Sequence, residues 1–469
     1  MFNTVPFLTF HANTVDAYVP EFWAQESLMF LEENMVIAGL VHRDFENKVS
    51  AQGDTVNTRK PASFSAKRKA AGDDITLQNV TVTNVPVTLD QLIHVSFVLR
   101  DAEMSKSLKD LVTEHIEPAM IAQANFVDSC LLGQAAQYLT QSNGVHGNMG
   151  GISSSNAKGF VLDARNGLNK NLCPVSGRNM IWAPNSETET LKLDLFNSAD
   201  KLADGGQAMR EAELGRVLGF NHYMCQNAPS TSATTAKAIT AGAINNSAGY
   251  SIGDVTMTTD GFTGAVADNE WVLIAGDDTP HRVEDHTETS SNTTTLVIAA
   301  PGLRKAVADN AAIQVMGGGL VNLSAGYAAG YDSTIIYDNY AAGIQKGHMV
   351  SFGNTGAATM PAVYTVVEAT STTILLDRPL DAAISDNDEI NLSPLGDVNF
   401  AFHRNALALI SRPLAPPKVG ALSAVVVHNN IAMRATITYD GTKQGHIVTL
   451  DMLFGVKVLD SALGAVLVG

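Results

Sequence analysis

The spacing of apolar residues predicts helices in the first third of the chain. Between residues 102 and 139, apolar side chains recur at steps of three and four residues, which indicates one long amphipathic helix. Pro118 removes a backbone donor in the middle of this helix, so we expect a bend there. An earlier amphipathic helix is predicted from Pro20 to about Val41, because proline is tolerated in a first helical turn. Two further helices are predicted at 191–202 and 399–410.

Alternation of apolar and polar residues predicts strands elsewhere. Residues 43–90 show β-type alternation but contain too few apolar residues to close a core. They therefore indicate a long β-hairpin that must lie on another part of the protein. Further strands are predicted before Pro184, at Arg216–Cys225, and at 421–427, 432–439 and 446–458.

A duplicated β pattern occupies residues 232–397. The string TTLVIAAP at Thr294–Pro301 reappears as TTILLDRP at Thr372–Pro379, an offset of about 78 residues. Short strands alternate with Gly, Asn and Asp turns, as in small β-barrels or sandwiches, and Gly317–Gly319 is a candidate joint between the copies. Because the character of the chain changes near 228 and returns after 397, we expect residues 1–228 and 398–469 to form one α+β body with an insert. Whether the two copies form two barrels or pair into one is left open.

Composition indicates a globular protein. A chain of 469 residues with 45% hydrophobic and 16% charged residues can bury a sizeable core. No apolar run reaches 18 residues and the N-terminus lacks a signal-peptide pattern, so we expect a protein made and kept in a cytoplasm. Cys130, Cys173 and Cys225 are odd in number and far apart, so they are expected to be buried thiols without a disulfide or metal role.

Charge is distributed unevenly along the chain. Residues 232–397 hold 6 of the 30 Lys+Arg and 19 of the 47 Asp+Glu, so they carry −13 of the net −17 and the other 303 residues carry −4. A pI near 5 argues against a protein that coats nucleic acid generally.

A basic cluster on the predicted hairpin is the candidate contact site. Its members are Arg59, Lys60, Lys67, Arg68 and Lys69, and no acid occurs among residues 59–69. The cluster could touch a nucleic acid, or it could meet an acidic patch on a neighbouring protein. Because the hairpin cannot bury itself, we favour contact with protein.

Motifs for catalysis are weak or absent. The sequence contains no phosphate-binding loop, zinc-protease helix or paired-cysteine motif. The string Gly249-Tyr-Ser-Ile-Gly253 has the spacing of a nucleophile elbow around Ser251, but a predicted strand follows it where that motif needs a helix. A turn serine is the favoured interpretation. Gly317–Gly319 lacks the lysine that follows in a phosphate-binding loop, so a hinge is favoured there.

Acidic groups in the repeat could supply oxygen ligands to calcium. The candidates are Asp277, Asp278, Glu284 and Asp285 in the first copy and Asp386, Asp388 and Glu389 in the second. A solvated acidic surface with Asp turns is the favoured interpretation, and His281 and His286 are expected to be exposed loop residues. The sequence therefore predicts a protein that is not an enzyme and that has no cofactor, no catalytic residues and no metal site.

The order of these parts resembles the major capsid (coat) proteins of tailed double-stranded DNA phages, which have the Hong Kong 97-type fold. The closest similarity is to short-tailed phage coat proteins with an inserted β-barrel domain. The residues that carry the resemblance are 399–414, 452–468, 85–91, 215–220 and, in the insert, 346–352, 364–368 and 373–375.

The resemblance implies a division of the chain. It implies an N-terminal arm at 1–42, an extended loop at 43–97 that crosses a neighbouring subunit, and a peripheral domain at 98–149 with the spine helix. It further implies an axial domain that starts at 150–228, an inserted acidic β domain at 229–397, and the axial remainder with a return to the peripheral domain at 398–469. The family's insert is usually one barrel, whereas this one is long enough for two.

The resemblance also implies a function, which is self-assembly into the icosahedral head shell around phage DNA. Implied partners are other copies in hexamers and pentamers, scaffolding and portal proteins, and packaged DNA held non-specifically on the inner face, with no membrane. The location would be the virion, after assembly in the host cytoplasm. Because packed DNA repels acids, we expect the −13 insert to face outward. The alternatives are a β-repeat adhesin or capsid decoration protein without a shell-forming role, and a hydrolase with an appended β module.

Overall fold

The protein is described from a computed structural model. The structure describes residues 25, 27–29, 31, 35–43, 54–60, 66, 68, 83–100, 115–140, 145–147, 152–153, 155–193, 196, 215–231, 242–262, 264, 266–289, 292–299, 302–338, 343–353, 362–392, 396–417, 422–428, 430–442 and 444–469. Among these residues, no helix is both long enough and apolar enough to span a bilayer.

The described residues are mostly β. The α-helices that the structure describes over their full length are α1 Glu117–Gly133, α2 Ala157–Lys170 and α3 Pro184–Leu191. The strands before the repeat are β1 Thr55–Lys60, β2 Thr83–Thr88, β3 Gln91–Arg100, β4 Val145–Gly147, β5 Arg178–Trp182, β6 Arg216–Val217, β7 Phe220–Met224 and β8 Ser230–Thr231. The strands of the repeat are β9 Gly242–Ile244, β10 Thr256–Asp260, β11 Trp271–Ile274, β12 Asp277–Thr289, β13 Asn292–Ile298, β14 Ala312–Met316, β15 Leu320–Val321, β16 Ile335–Asp338, β17 Met349–Phe352, β18 Tyr364–Ala369, β19 Thr373–Leu376 and β20 Ile390–Leu392. The last strands are β21 Gly396–His403, β22 Leu407–Arg412, β23 Leu422–His428, β24 Ile431–Asp440, β25 Gly445–Val458 and β26 Gly464–Val468.

Two sheets and α1 build the body of the protein. One is a 7-stranded sheet in the order β4-β26-β21-β5-β7-β6, with β8 paired to β21, and the other is a 5-stranded sheet in the order β22-β25-β24-β23, with β3 paired to β25. Val127 and Leu131 of α1 share one core with Phe400 of β21 and Leu450 of β25. The same core holds residues of both sheets, and each fully buried aliphatic side chain in it contributes about 1.5–3 kcal/mol.

The predicted long helix is described only in its second half. α1 has Pro118 in its first turn, follows a π-helical turn at His115–Ile116, and continues as a 3-10 helix over Gln134–Thr140. A π-helical turn beside a proline is a common irregularity, because the ring removes one donor from the hydrogen-bond ladder. Residues 101–114 lie outside the described residues. The earlier predicted helix is helical at 27–29, but residues 35–41 bend and turn, so it ends before Met35.

The hairpin predicted at 43–90 contains an antiparallel pair of strands. β1 pairs with β2 from Thr55 opposite Thr88 to Lys60 opposite Thr83. The apolar residues at the Thr88 end, Val87 and Leu89, are buried against Ala408, Ile410 and Leu453 of the 5-stranded sheet. The backbone comes so close there that a Cβ added to Gly455 would lie 2.0 Å from the carbonyl oxygen of Thr88. The hairpin therefore lies on the body at one end, here called the hairpin base (residues 87–90).

The duplicated sequence folds as two separate β modules with the same pairing order. The first module, residues 242–316, is a closed barrel in the order β10-β13-β12-β11-β14-β9. The second module, residues 320–392, is a 6-stranded sheet in the order β15-β16-β19-β18-β17-β20, and a bridge between Leu320 and Glu389 links its two ends. Gly317–Gly319 lies between them, and a Cβ on Gly318 would come within 2.0 Å of the carbonyl oxygen of Ile390. The glycine run is thus a tightly packed joint.

Equivalent residues hold equivalent turns in the two modules. Asp309 accepts a hydrogen bond from the backbone N–H of Asn246 at 2.9 Å, and Asp386 accepts one from Leu323 at 3.0 Å. The hydroxyl of Tyr250 accepts from the N–H of Thr258, as that of Tyr327 does from Ile336. The repeat in the sequence is therefore a repeat in structure.

Two predicted elements are wrong, and others are confirmed. Residues 399–410 form strand, 3-10 turn and strand rather than a helix, since nearly every residue of β21 and β22 is buried on one face or the other. The predicted strand 216–225 is a hairpin that turns at Leu218 and Gly219, both with positive φ. Strands β23, β24 and β25 confirm the predictions at 421–427, 432–439 and 446–458. The predicted helix at 191–202 falls largely outside the described residues, and a helix instead precedes it at Pro184–Leu191.

Candidate functional site

Two members of the basic cluster lie at the far end of the hairpin pair. Arg59 and Lys60 end β1, opposite Asn84 and Thr83, at the end remote from the hairpin base. Arg68 is exposed and has no hydrogen bond or ion pair with any described residue. Lys67 and Lys69 lie outside the described residues. Arg59 and Lys60 thus stand apart from the buried end of the hairpin, and Arg68 is unpaired within the described part.

A buried ion pair fixes the second module to the end of α1. The Asp377 carboxylate has no solvent exposure and accepts hydrogen bonds from the Thr365 N–H at 2.7 Å, Gln134 Nε2 at 3.2 Å and Arg378 at 3.1 Å. Burial raises the pKa of Asp377, against the lowering effects of Arg378 and the Thr365 N–H. A Cβ on Gly133 would lie 2.7 Å from the Cβ of Asp377, so only glycine fits there.

The guanidinium of Arg378 is also fully engaged. It donates to the carbonyl oxygen of Val363 at 2.8 Å, lies 4.3 Å from the ring centroid of Tyr364, and is 3.7 Å from an oxygen of the half-exposed Asp381. Planar guanidinium groups suit such a combination of ion-pair, stacking and carbonyl contacts. This junction links the body and the second module through a specific polar network.

Sequence reasoning missed the junction, although the repeat contains a signal for it. Ala299 and Ala300 of the first copy align with Asp377 and Arg378 of the second, within otherwise apolar strings. A charged pair that replaces two alanines in a duplicated strand marks a position where the second copy makes a contact that the first does not. The two modules therefore differ in attachment rather than in fold.

A second carboxylate that the sequence does not predict, that of Asp128, anchors the backbone at Val36 and Ile37, before the hairpin. Asp128 of α1 is fully buried and accepts hydrogen bonds from the N–H groups of Val36 at 3.0 Å and Ile37 at 3.2 Å. Burial raises the pKa of Asp128 to about 6, although these backbone donors lower it. Its position on the buried side of a helix, where an apolar residue is usual, is the sequence signal.

The calcium candidates that are described act mainly as turn carboxylates. Asp277 accepts from His281, from the backbone of Thr279 and from that of Arg304. Although burial raises the pKa of Asp277, the hydrogen bond and charge of His281 and the backbone donors lower it more, so that it lies below the usual value. Asp386 and Asp388 accept backbone N–H groups of Leu323 and Ser385. These oxygens are already satisfied by donors of the protein.

The two histidines of the first module lie on strand β12, so the prediction of exposed loop histidines is wrong. His281 is buried beside Asp277, with 2.9 Å between Nε2 and the carboxylate. His286 contacts Asp268 at 2.7 Å through Nδ1 and Glu288 at 3.2 Å through Nε2. Asp268, Asp285 and His286 place their ligand atoms within 4.8 Å of one another, which is close enough for a cation but is also usual for paired surface charges.

The remaining candidates for chemistry have structural surroundings. Ser251 is exposed in a turn before β10, where its N–H donates to Asp254 at 2.8 Å, and no strand-to-helix elbow surrounds it. Cys130, Cys173 and Cys225 are buried and free, as predicted. Burial raises the pKa of Cys130 well above its usual value and that of Cys225 to about 12, so the thiolate form is disfavoured at both.

An exposed apolar loop follows α2. Leu172 is 90% exposed with φ at 57°, and Val175 is 59% exposed. A leucine with positive φ has a strained backbone. Its exposed side chain would be buried only if another surface covered it. Leu172 has the largest exposed fraction of any large hydrophobic side chain in the described part of the chain.

Comparison with known proteins gives similarities to solved structures alone. No family model matches the chain, and no curated protein sequence matches it. The chain is similar to a structure titled "Capsid structure of the Cyanophage P-SCSP1u" (TM-score 0.41, 10% identity, 92% of this chain and 91% of that chain). It is also similar to "Asymmetric unit of bacteriophage PhiM1 mature capsid" (TM-score 0.40, 9% identity, 92% and 86%). A third is "Capsid structure of Staphylococcus phage Andhra" (TM-score 0.39, 8% identity, 93% and 86%).

Proposed function

We propose that this chain is a major capsid protein that assembles with many copies of itself into an icosahedral shell around phage double-stranded DNA. In this proposal residues 1–42 are the arm, 43–97 the extended loop, 98–149 the peripheral domain, 150–228 and 398–469 the axial domain with its return, and 229–397 the insert. The subunits form hexamers and pentamers, with scaffolding and portal proteins as further partners. The protein has no catalytic role.

The observation that carries the proposal is the hairpin of β1 and β2. Among the hairpin residues whose burial the structure describes, Val87 and Leu89 of the base are buried on the body. Within the described residues, the pair joins no other sheet, and a two-stranded pair is marginally stable by itself in water. An extended element that carries five cations beyond its buried end is suited to contact a neighbouring subunit.

The attachment of the β modules supports a shell subunit over a free-standing β-repeat adhesin or decoration protein. Trp271 and Met316 of the first module and Met349 and Val363 of the second belong to the same core as α1. The ion pair of Asp377 and Arg378 adds a polar contact with the end of α1, because Gln134 donates a hydrogen bond to Asp377. Each module has a core of its own, and in addition it contributes residues to the core of the body, which a free-standing adhesin module would not do.

The charge of the insert supports an orientation in the shell. Residues 232–397 carry −13, and carboxylates repel the phosphates of packaged DNA. The insert therefore faces the outside, and the nearly neutral remainder lines the lumen and touches DNA without sequence preference. Cryo-microscopy that places the insert in the lumen would contradict this orientation.

The test is assembly of the purified full-length chain. Sedimentation velocity and negative-stain electron microscopy should show closed polyhedral shells, or rings of five and six. Reversal of Lys67, Arg68 and Lys69 to Glu should leave the monomer folded by circular dichroism and block assembly. The matched control reverses the exposed Lys305 and Lys346 of the modules, which should assemble normally. Normal shells from the triple variant would refute the role of the basic cluster.

A further inference from the structure

A charged cleft lies where three parts of the chain meet. It has a volume of about 340 Å³. Its walls include Thr88 and Asp90 of the hairpin base, Val456 and Lys457 of β25, and Asp332 and Asp381 of the second module. The cleft exists only because the hairpin base and the second module both pack on the body.

The charges of the cleft are unequally satisfied. Arg378, which also lines it, is neutralised by the buried Asp377 and lies 3.7 Å from Asp381. Lys457 acts electrostatically on Asp90, whose pKa burial raises to about 6. Asp332 is exposed at the mouth and has no hydrogen bond or ion pair with any described residue. The cleft thus presents an unpaired carboxylate, with a second half-exposed one at Asp381.

The occupant suited to this cleft is a cationic side chain on a polypeptide. Two cations already line the walls, which disfavours a divalent metal ion, and three carboxylates disfavour a phosphate. The basic cluster supplies the complementary charge, because residues 59–69 contain five cations and no acid. Arg68 is exposed and unpaired among the described residues, as Asp332 is.

The strand register keeps Arg59 and Lys60 away from the cleft of their own chain. Thr88, in the cleft wall, pairs with Thr55, whereas Lys60 pairs with Thr83, five residues further along the strand. At about 3.3 Å per residue, Lys60 lies about 17 Å from the cleft of its own chain. That distance exceeds the length of a lysine or arginine side chain, and the paired strands hold Arg59 and Lys60 at the remote end.

We propose that the cleft bounded by Asp90, Asp332 and Asp381 receives the basic cluster of a second copy of this chain. The contact rests on the proposed function, since it joins neighbouring subunits of the shell. It also gives the second module a role in assembly, because that module supplies the carboxylates at the mouth.

The test is a charge swap between Arg68 and Asp332. Arg68→Glu and Asp332→Lys should each raise the protein concentration needed for assembly about fivefold, and the double variant should restore it to near the wild-type value. Because exposed charges are screened by salt, the single defects should shrink at 1 M salt. Asp260→Lys reverses an exposed carboxylate of the first module and should assemble as the wild type does.

A crosslink provides an independent readout. The three native cysteines are buried, so Arg68→Cys with Asp332→Cys should give disulfide-linked chains of two and more copies under mild oxidation of shells. Wild-type chain that stays monomeric would refute both the shell function and this contact. If the wild type forms shells, this contact alone would be refuted by normal assembly of both single variants. It would also be refuted by single defects that the swap does not rescue.

Discussion

The junction between α1 and the second module gives the sharpest test of how the β modules are attached. Asp377→Asn keeps the size of the side chain and the acceptor for the Thr365 N–H, which is 2.7 Å away. It replaces the other oxygen by an amide that faces two donors, Gln134 Nε2 at 3.2 Å and Arg378 at 3.1 Å. It also leaves the guanidinium of Arg378, only 8% exposed, without its buried counter-charge.

The expected magnitude follows from that burial. Removal of one partner from a buried ion pair costs about 3–5 kcal/mol, because the other charge stays desolvated. Asp381, at 3.7 Å from the same guanidinium and 55% exposed, offers partial compensation. We therefore expect a loss of about 3 kcal/mol. The matched control is Asp381→Asn, which removes an exposed carboxylate from the same arginine and should cost less than about 1 kcal/mol.

Hydrogen exchange with mass spectrometry measures the loss of stability segment by segment, which suits a chain with several hydrophobic cores. Protection of the backbone around Thr365 and around Gly133 should fall together by roughly a hundredfold in Asp377→Asn, since about 1.4 kcal/mol corresponds to a factor of ten. Protection in the first module should change much less. Equal effects of the two substitutions, or a fall confined to the second module without any change at the end of α1, would refute the reasoning.

Three further predictions concern other contacts of the body. Because burial raises the pKa of Asp128 from 3.8 to about 6, its stabilising contribution is present below pH 3.8 and is lost as pH rises through 6. Urea unfolding should therefore show the stability of Asp128→Asn rising relative to wild type by about 3 kcal/mol between pH 4 and pH 7, and a pH-independent difference would contradict this. Gly455→Ala places a methyl group 2.0 Å from the Thr88 carbonyl oxygen, so it should cost about 3 kcal/mol and expose the hairpin to limited proteolysis; unchanged cleavage would contradict the close packing. Leu172→Ser should leave the unfolding of the monomer within about 0.5 kcal/mol of wild type and lower the yield of shells; normal yield would show that the loop makes no subunit contact.

The sequence predicts β-strands best where one face of the strand is buried and the other is exposed to solvent. β24 alternates in this way, and its limits follow the predicted ones within one residue. The pattern of residues 399–410 predicts a helix wrongly, because the short apolar runs on either side of His403–Asn405 have no period that separates strands buried on both faces from a buried helix. The structure resolves them into β21 and β22, joined by a turn in which His403 accepts the N–H of Asn405. The error arises from tertiary burial, which local pattern does not encode.

The candidate site was predictable in its charges and not in its contacts. The basic cluster is visible as five cations without an acid, and the repeat is visible as a matched string. The cleft depends on Asp90, Lys457 and Asp332, which are far apart in the sequence and meet only through the packing of three elements. Asp377 and Arg378 are visible as a difference between the two copies, but their partner Gln134 is not, since nothing in α1 marks it.

Cryo-electron microscopy of the purified, assembled wild-type chain tests the central claim most directly. We predict closed icosahedral shells in which the acidic modules project outward and each hairpin of β1 and β2 lies on a neighbouring copy. A monodisperse monomer under conditions that span protein concentration, salt and pH would contradict the claim.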